Sequence, residues 1–187
     1  GLMNGVSDGH FDPEGKMTRA MFVTILYRKD GTPMVSGSAN FSDVKPGSWY
    51  SDAVKWAADL GIVKGYPDGR FGVNDLLTRE QMVTILYRYA AYAGEDTNAS
   101  TNLTDLLDCD SIGEYAKEAF AWAVAKGIIV GITTDSGMML NPIGISTRAQ
   151  AAVVVCRYLR MTEDKEEIKE EDKEEVKEED KEDLVPG

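Results

Sequence analysis

The chain has 187 residues, of which 43% are hydrophobic and 28% are charged, and its formal net charge is −12. That length suits one or two ordinary domains, or an array of about three small units. No run of about eighteen apolar residues occurs, so the sequence predicts no membrane-spanning helix. The two cysteines, Cys109 and Cys156, are too few for a disulfide framework.

The charge is concentrated at one end of the chain. Residues 163–183 contain 14 Asp or Glu and 5 Lys, a net charge of −9, which leaves only −3 for the rest. The remaining chain has no basic stripe, so a nucleic acid is not an expected partner. The chain opens Gly1-Leu2-Met3 without a basic and then apolar leader. We therefore expect either a processed secreted protein or an excised fragment.

One pattern occurs three times along the chain. Residues 17–28 and 77–88 lie 60 residues apart and share the hexapeptide Val-Thr-Ile-Leu-Tyr-Arg, and a third copy at 146–157 lies 69 residues further on. A repeated segment of this kind is typical of an array of similar structural units. We divide the chain into unit 1 (1–33), unit 2 (41–94), unit 3 (103–161) and an acidic low-complexity tail or linker (162–187).

A glycine-containing loop precedes each copy, at residues 5–11, 65–71 and 131–142. In the second loop, Tyr66-Pro67-Asp68-Gly69 has turn chemistry, because Pro fixes one φ angle and Gly can take a positive one. Asp68 is therefore expected to be first of all a turn residue. The glycines that open the loops are interpreted as helix C-caps; they are Gly5, Gly65 and Gly131.

Residues 49–57 and 115–123 align at an offset of 66 and predict a first helix for units 2 and 3. Gly61 is expected to end the first of them. Trp56 is predicted to lie in the core, and Trp49 is either core or the wall of a groove. Unit 1 has no such segment, so we expect the apolar faces of three residues in its helix to lose part of their cover; they are Phe22, Ile25 and Leu26.

The repeated copies themselves predict three long helices, over residues 17–29, 78–93 and 147–160. Each opens at a threonine, and Thr78 with Gln81, and Thr147 with Gln150, fit a capping box. Thr18 has Met21 at that position, which makes only half of the cap. These helices are apolar round much of their circumference, so we expect them to pack together.

The motifs together resemble the S-layer homology domain. They are Phe41-Ser42-Asp43-Val44, the Trp49 segment, the Gly65–Gly69 loop and Thr78-Arg79, and the resemblance runs from about residue 2 to 160. It implies an all-α fold, a pseudo-threefold bundle with one long central helix per unit and shorter helices outside. It also implies binding of secondary cell-wall polysaccharides, often with ketal-pyruvylated sugars, in grooves between adjacent units at a bacterial cell surface.

The Thr-Arg-Ala-Glu motif of that family maps onto residues 18–21, 78–81 and 147–150. All three copies keep the arginine and none has the terminal glutamate. A helix N-terminus favours an anion, and a neighbouring arginine adds a planar fork that matches a carboxylate. The candidate polysaccharide-binding residues are first the arginines and threonines of the motif: Arg19, Arg79, Arg148, Thr18, Thr78 and Thr147. Trp49 and Tyr115 are candidates for stacking on a sugar ring, and Gly65 and Asp68 are candidates from the loop.

Two alternatives stay open at this level. Each arginine could instead pair with a nearby Asp or Glu in its own surroundings. The whole chain could also be a protein-interaction or self-assembly module of a surface layer rather than a polysaccharide anchor. Of the three arginines we expect Arg79 to matter most, because its unit is complete and its loop is closest to the family pattern.

Catalysis and metal binding find little support in the sequence. His10 is the only histidine, and no His or Cys cluster has zinc spacing. Asp8, Asp12 and Glu14 lack the alternating order of a calcium loop. We therefore expect no enzyme activity, no metal and no cofactor. The acidic tail is expected to be either a solvated helix or extended linker that acts as a spacer, or an acidic solubility tail with no spacer role.

Overall fold

The computed structural model describes residues 1–36 and 40–164, and the tail beyond residue 164 lies outside them. The fold is mostly helical. Its elements are α1 (Arg19–Lys29), α2 (Ser51–Asp59), α3 (Arg79–Tyr92), two short 3-10 helices (Cys109–Ser111 and Glu114–Ala116), α4 (Lys117–Ala125), β1 (Ile132–Thr134), β2 (Gly137–Met139) and α5 (148–164).

The all-α expectation is wrong in one detail, because β1 and β2 form a small antiparallel hairpin in which Ile132 pairs with Met139. The third loop is longer than the other two and lacks their Asp-Gly turn. Its chain reverses at Gly137, whose φ of +137° suits glycine. The extra length is therefore taken up by a hairpin rather than by a tight turn.

The three long helices begin as their sequences predict. The side chains of Thr78 and Gln81 cap each other's backbone N–H groups at 3.3 and 3.4 Å, and Thr147 and Gln150 do the same at 3.2 and 3.0 Å. At α1 only half of the cap forms, with Thr18 Oγ1 accepting from the backbone N–H of Met21. The cap pattern thus defines where each long helix starts.

The glycines that end helices are not the ones that open the loops. Gly61 and Gly127, just after α2 and α4, have φ angles of +71° and +68°. Gly65 has no such angle; a Cβ there would collide with the ring of Phe41 and lie 2.8 Å from the carbonyl oxygen of Arg70. The C-cap interpretation of Gly5, Gly65 and Gly131 is therefore wrong, since these positions need glycine for close approach of neighbouring atoms.

Each outer helix packs on the long helix of the unit before it. α2 covers α1, where the Tyr27 and Trp56 ring centroids lie 5.5 Å apart, and α4 covers α3 through Tyr87 and Trp122 at 5.5 Å. α1 also contacts α3, and Tyr89 of α3 meets Tyr158 of α5 with ring centroids 5.8 Å apart.

Because each outer helix covers the long helix of the preceding unit, the prediction that three apolar residues of α1 lack part of their cover is wrong. Phe22 of α1 is completely buried, and so are Ile25 and Leu26 apart from 4% and 1% of their surface. The reason is that their cover comes from α2 of the following unit and not from a helix of their own unit.

The starts of the long helices meet in a closed set of backbone hydrogen bonds. The N–H of Met17 donates to the carbonyl oxygen of Ser146, that of Ser146 to Leu77 and that of Leu77 back to Met17, each at 2.9 Å. All three residues stand immediately before a cap threonine and are fully buried. The ring fixes the three helix N-termini, and the arginines next to them, relative to one another.

Candidate binding grooves

Each motif arginine reaches into the loop of another unit. Arg19 donates from Nε to the carbonyl oxygen of Phe71 at 3.0 Å and from Nη2 to that of Lys64 at 3.2 Å. Arg148 makes the same pair of bonds to unit 1, at 2.9 Å to Phe11 and 2.6 Å to Asn4. Arg79 Nε donates to the carbonyl oxygen of Leu140 in unit 3 at 2.8 Å. The arginines thus connect the units in a cycle.

The arginines are structural residues to a degree that the sequence did not indicate. Only 6%, 8% and 7% of Arg19, Arg79 and Arg148 is exposed, and within residues 1–36 and 40–164 none forms an ion pair with a carboxylate. Burial lowers the pKa of the Arg79 guanidinium, against an opposing effect of Asp108. The loop at 65–71 is held by Arg19, whereas Arg79 contacts the loop of unit 3. The closeness of loop 65–71 to the family pattern is therefore no reason to single out Arg79, and its leading role in binding stays a prediction.

Two carboxylates also hold the loops, by accepting hydrogen bonds from their backbone N–H groups. Asp43 accepts hydrogen bonds from the backbone N–H groups of Phe71, Gly72 and Val73 at 2.7, 2.8 and 3.0 Å. Burial raises the pKa of the Asp43 carboxyl, but these three bonds outweigh it and the net shift is downward. In unit 3, Asp108 accepts from the N–H groups of Leu140 and Asn141.

The first candidate site, which we name the Tyr115 groove, is a depression of about 400 Å³ between units. Its lining includes Arg19, Lys64, Tyr66, Arg88 and Tyr115, and Gly65 forms part of its floor. Tyr115 is 53% exposed, and its hydroxyl donates a hydrogen bond to Glu80 Oε1 at 2.8 Å, which fixes the ring. Burial and that bond raise the pKa of Tyr115, so the hydroxyl stays protonated at neutral pH.

Arg88 and Lys64 line this groove with cationic side chains that lack partners within residues 1–36 and 40–164. Arg88 is partly buried, and in the described part of the chain its guanidinium makes no hydrogen bond or ion pair. Burial lowers the pKa of its guanidinium, Tyr115 opposes that shift, and the positive charge of Arg19 adds to it. Two guanidinium groups therefore face one cavity without a carboxylate bound to either, which is an arrangement that favours an anion.

The second site, the Trp49 groove, has a volume of about 430 Å³ and is the counterpart of the first. Asn4, Val6, Arg28, Trp49 and Arg148 line it at the positions that Lys64, Tyr66, Arg88, Tyr115 and Arg19 occupy in the Tyr115 groove. Trp49 is 62% exposed and lies just before α2 rather than inside it. Arg28 differs from Arg88, because its Nη1 donates to the carbonyl oxygen of Leu2 at 3.2 Å.

The other predicted residues lie outside the groove walls. Asp68 is an exposed turn residue, with its carboxylate accepting from the N–H and Nε of Arg70 at 3.0 and 2.8 Å. The threonines Thr18, Thr78 and Thr147 cap helices. Trp56 is buried in the core, as predicted.

The sequence did not single out Lys64, Tyr66, Arg28 or Arg88 as candidates. A signal for the last two was present, because Arg ends each repeated hexapeptide, nine residues after the motif arginine. Nine residues are about two and a half turns of helix, so the motif arginine and the second arginine of one helix point to different sides. The arginine pair of the Tyr115 groove is contributed by two units, Arg19 from unit 1 and Arg88 from unit 2.

Across residues 1–36 and 40–164 no cluster of three or more His, Cys, Asp or Glu is placed to hold a metal ion. In the same ranges no helix combines the length and the apolar character needed to cross a membrane.

Comparison with known proteins settles the family. A family model described as the S-layer homology domain matches residues 1–21 and 40–83. The chain belongs to the S-layer homology family. It is 32% identical over 155 residues to Exoglucanase XynX of Acetivibrio thermocellus and 32% identical over 157 residues to the Surface-layer 125 kDa protein of Lysinibacillus sphaericus. It is 27% identical over 162 residues to the Cellulosome-anchoring protein of Acetivibrio thermocellus.

These matches cover most of this S-layer homology chain but a small part of each relative. The shares of this chain are 82%, 84% and 84%, whereas the shares of the relatives are 14%, 13% and 35%. The similarity to the exoglucanase therefore concerns a short part of that protein, and relatives named as a surface-layer protein and a cellulosome-anchoring protein match the same chain over a similar length.

Proposed function

We propose that this chain is a non-catalytic anchor at the bacterial cell surface, which binds an anionic secondary cell-wall polysaccharide non-covalently in its inter-unit grooves. The observation that carries the proposal is Arg88, partly buried in the Tyr115 groove beside Arg19 and without a hydrogen bond or ion pair to the described residues. The names of two relatives, a surface-layer protein and a cellulosome-anchoring protein, agree with this function.

The chemistry of the Tyr115 groove fits an acidic sugar. Arg88 offers a guanidinium fork to a carboxylate, such as that of a pyruvyl ketal, and the Nη1 atom of Arg19 makes no bond to the described protein. The exposed Tyr115 ring supplies a flat apolar face for the C–H side of a sugar ring, whereas the Tyr66 ring lies under the guanidinium groups of Arg19 and Arg70. Lys64 lines the same cavity and adds a positive charge.

The Trp49 groove is proposed as a second site for the same polymer. It shares the motif arginine and an exposed aromatic residue, Arg148 and Trp49, and it carries less positive charge because Asn4 stands at the position of Lys64. Arg28 also has fewer free donors than Arg88, since it is bonded to Leu2. Two sites on one body gain avidity towards a repeating polymer. We further propose that the three units form a pseudo-threefold bundle, a description supported by the cyclic bonds of Met17, Leu77 and Ser146.

The remaining candidate residues are proposed to act by shaping these grooves. Arg79, Thr18, Thr78 and Thr147 hold the units and helix starts in place, and Asp68 shapes the loop that ends at the groove wall. Gly65 allows the loop to approach Phe41 closely.

Sedimentation with purified cell-wall sacculi, before and after chemical removal of the attached polysaccharide, tests the function. We expect the chain to sediment with intact sacculi and to remain in solution with stripped ones. Equal sedimentation with both preparations would point to peptidoglycan or protein as the ligand. A failure to sediment with either one, by a chain shown to be folded, would overturn the proposal.

A further inference from the structure

Asn4 and Gly5 form the only Asn-Gly pair in the chain. In this pair the backbone nitrogen of the second residue reaches the side-chain carbonyl carbon of the first most easily, because glycine has no Cβ to obstruct the approach. The other asparagines precede residues that are larger or, in the case of proline, have no backbone N–H; these are Phe41, Asp75, Ala99, Leu103 and Pro142. The pair is therefore the position in the sequence best suited to deamidation.

The fold leaves this pair free to react. Asn4 and Gly5 are both exposed, and within residues 1–36 and 40–164 neither the Asn4 side chain nor the backbone N–H of Gly5 makes a hydrogen bond. The fold also requires glycine here, since a Cβ on Gly5 would lie 2.7 Å from the carbonyl oxygen of His10. An asparagine at position 4 is therefore always followed by the residue that favours deamidation.

Arg148 acts on the peptide group that joins the two residues. Its Nη2 atom donates to the carbonyl oxygen of Asn4 at 2.6 Å, and that oxygen belongs to the same amide as the nitrogen of Gly5. A cation bound to the oxygen stabilises the negative charge that develops on this amide when its nitrogen loses a proton. Arg19 binds the carbonyl oxygen of Lys64 in the same way, but a lysine has no side-chain amide to be attacked.

We propose that Asn4 is a site of spontaneous deamidation in the folded protein and that Arg148 promotes the reaction. The deprotonated nitrogen of Gly5 forms a bond to Cγ of Asn4. The bond between Cγ and Nδ2 then breaks, and the side-chain nitrogen takes up a proton and leaves as ammonia. One water molecule opens the resulting succinimide ring at either of its two carbonyl carbons, which gives aspartate or isoaspartate. The reaction consumes only water.

Either product adds a negative charge to the Trp49 groove, which Asn4 and Arg148 line. In aspartate the new carboxylate is on the side chain. In isoaspartate the main chain gains a methylene and runs through Cγ, and the carboxylate is formed from the carbonyl group that Arg148 bound. A consequence that rests on the proposed function is that the Trp49 groove loses affinity for an anionic polymer as the protein ages. The Tyr115 groove, with Lys64 at the equivalent position, keeps its affinity.

Mass spectrometry of the tryptic peptide 1–16, in which Asn4 is the only asparagine, provides the test. Deamidation replaces an NH group by an oxygen atom and makes this peptide heavier. The protein is incubated folded and, in parallel, in urea, where Arg148 no longer contacts Asn4. We expect conversion to be about threefold faster or more in the folded protein, because a charged hydrogen bond activates the amide. Peptide 71–79, which contains Asn74, is the reference and should stay unchanged. Slower conversion in the folded protein would show that the fold protects Asn4 and would overturn the proposal.

Arg148→Gln distinguishes activation of the amide from restraint of the loop. Conversion should slow to the rate of the unfolded chain, a result expected even if the variant itself fails to fold, whereas an equal or faster rate than wild type overturns the role of Arg148.

Calorimetric titration of wall polysaccharide into fresh and fully converted protein measures the consequence for binding. We expect the affinity to fall about threefold, from the added negative charge, and to stay constant when Asn4→Gln protein is incubated in the same way. Equal affinity of fresh and converted wild type would overturn this consequence. Absence of binding by fresh protein would contradict the proposed function and leave the deamidation of Asn4 standing.

Discussion

The Nε atom of Arg19 donates a hydrogen bond to the carbonyl oxygen of Phe71, 52 residues further along the chain and in the next unit, at 3.0 Å. The equivalent bonds of Arg79 and Arg148 reach Leu140 and Phe11. The motif arginines, which the sequence marks as the best candidates for ligand binding, therefore also hold the units together. Stability and binding have to be measured separately for every arginine variant.

Arg19→Ala should destabilise the fold. The change removes two hydrogen bonds and leaves the carbonyl oxygens of Phe71 and Lys64 without their donor, at a cost of about 1–3 kcal/mol for each acceptor that water cannot reach. We expect a loss of about 3 kcal/mol in urea unfolding and a lower Tm. Arg19→Lys should recover only part of it, because an ammonium cannot form the fork. Lys29→Ala, at an exposed position of α1, is the control. Equal stability of the Arg19→Ala and Lys29→Ala proteins would contradict the role of Arg19 in holding the units together.

Asp43 should make stability depend on pH in the acid range. Its pKa is lowered in the folded state, so its contribution is present above the unfolded-state pKa of about 4 and is lost as pH falls through the folded value. Asp43→Asn keeps the shape but removes the charge that three N–H groups bind. We expect the variant to be less stable at pH 7 and the difference from wild type to shrink as pH falls below about 4. A difference that stays constant from pH 7 to pH 2 would rule out this role.

The two buried outer-helix tryptophans should respond differently to phenylalanine. Trp122 Nε1 donates to the carbonyl oxygen of Asp96 at 3.3 Å, whereas Trp56 Nε1 is buried and has no hydrogen-bond partner in the described residues. Trp122→Phe loses ring volume and a hydrogen bond, while Trp56→Phe loses ring volume and an unpaired donor. Urea unfolding should show Trp122→Phe to be more destabilising by about 1 kcal/mol. The reverse order would mean that Trp56 Nε1 has a partner, either the hydroxyl of the neighbouring Tyr92 or bound water.

The local features of the fold could be predicted from the sequence. Cap residues such as Thr78 and Gln81 form their bonds within four residues, so their positions fix a helix start without knowledge of the tertiary structure. Gly61 likewise ends α2 where expected. Periodicity also predicted that Trp56 is buried.

The sequence did not reveal which unit packs against which, and the features that it failed to predict depend on that packing. The repeats show that units are similar, but not that α2 covers α1 of the preceding unit or that Arg19 holds the loop of the following one. That missing order explains one error, the expected exposure of Phe22, and it also explains why the contact between Arg79 and the loop of unit 3 was not foreseen. Arg88 was overlooked because its importance comes from the absence of a partner, which only the folded arrangement shows.

Salt dependence should separate the two grooves. The Tyr115 groove presents more positive charge to a ligand than the Trp49 groove, so a polymer bound there releases more counterions. We expect Tyr115→Ala to weaken binding and to reduce its sensitivity to salt, and Trp49→Ala to weaken binding with little change in that sensitivity. Fluorescence titration of the polysaccharide between low and physiological salt provides the measurement. Identical salt dependence of the two variants would contradict the difference between the grooves.

The most direct test of polymer binding is a calorimetric titration of purified wall polysaccharide into wild type, Arg88→Gln and the exposed control Lys29→Gln, with Tm measured on the same samples. Arg88 makes no bond to the described protein, so its loss should leave Tm unchanged. A charged hydrogen bond contributes about 1.5–3 kcal/mol, so the affinity of Arg88→Gln should fall roughly tenfold or more while that of Lys29→Gln stays close to wild type. An affinity of Arg88→Gln equal to that of wild type would contradict the Tyr115 groove as the polysaccharide site.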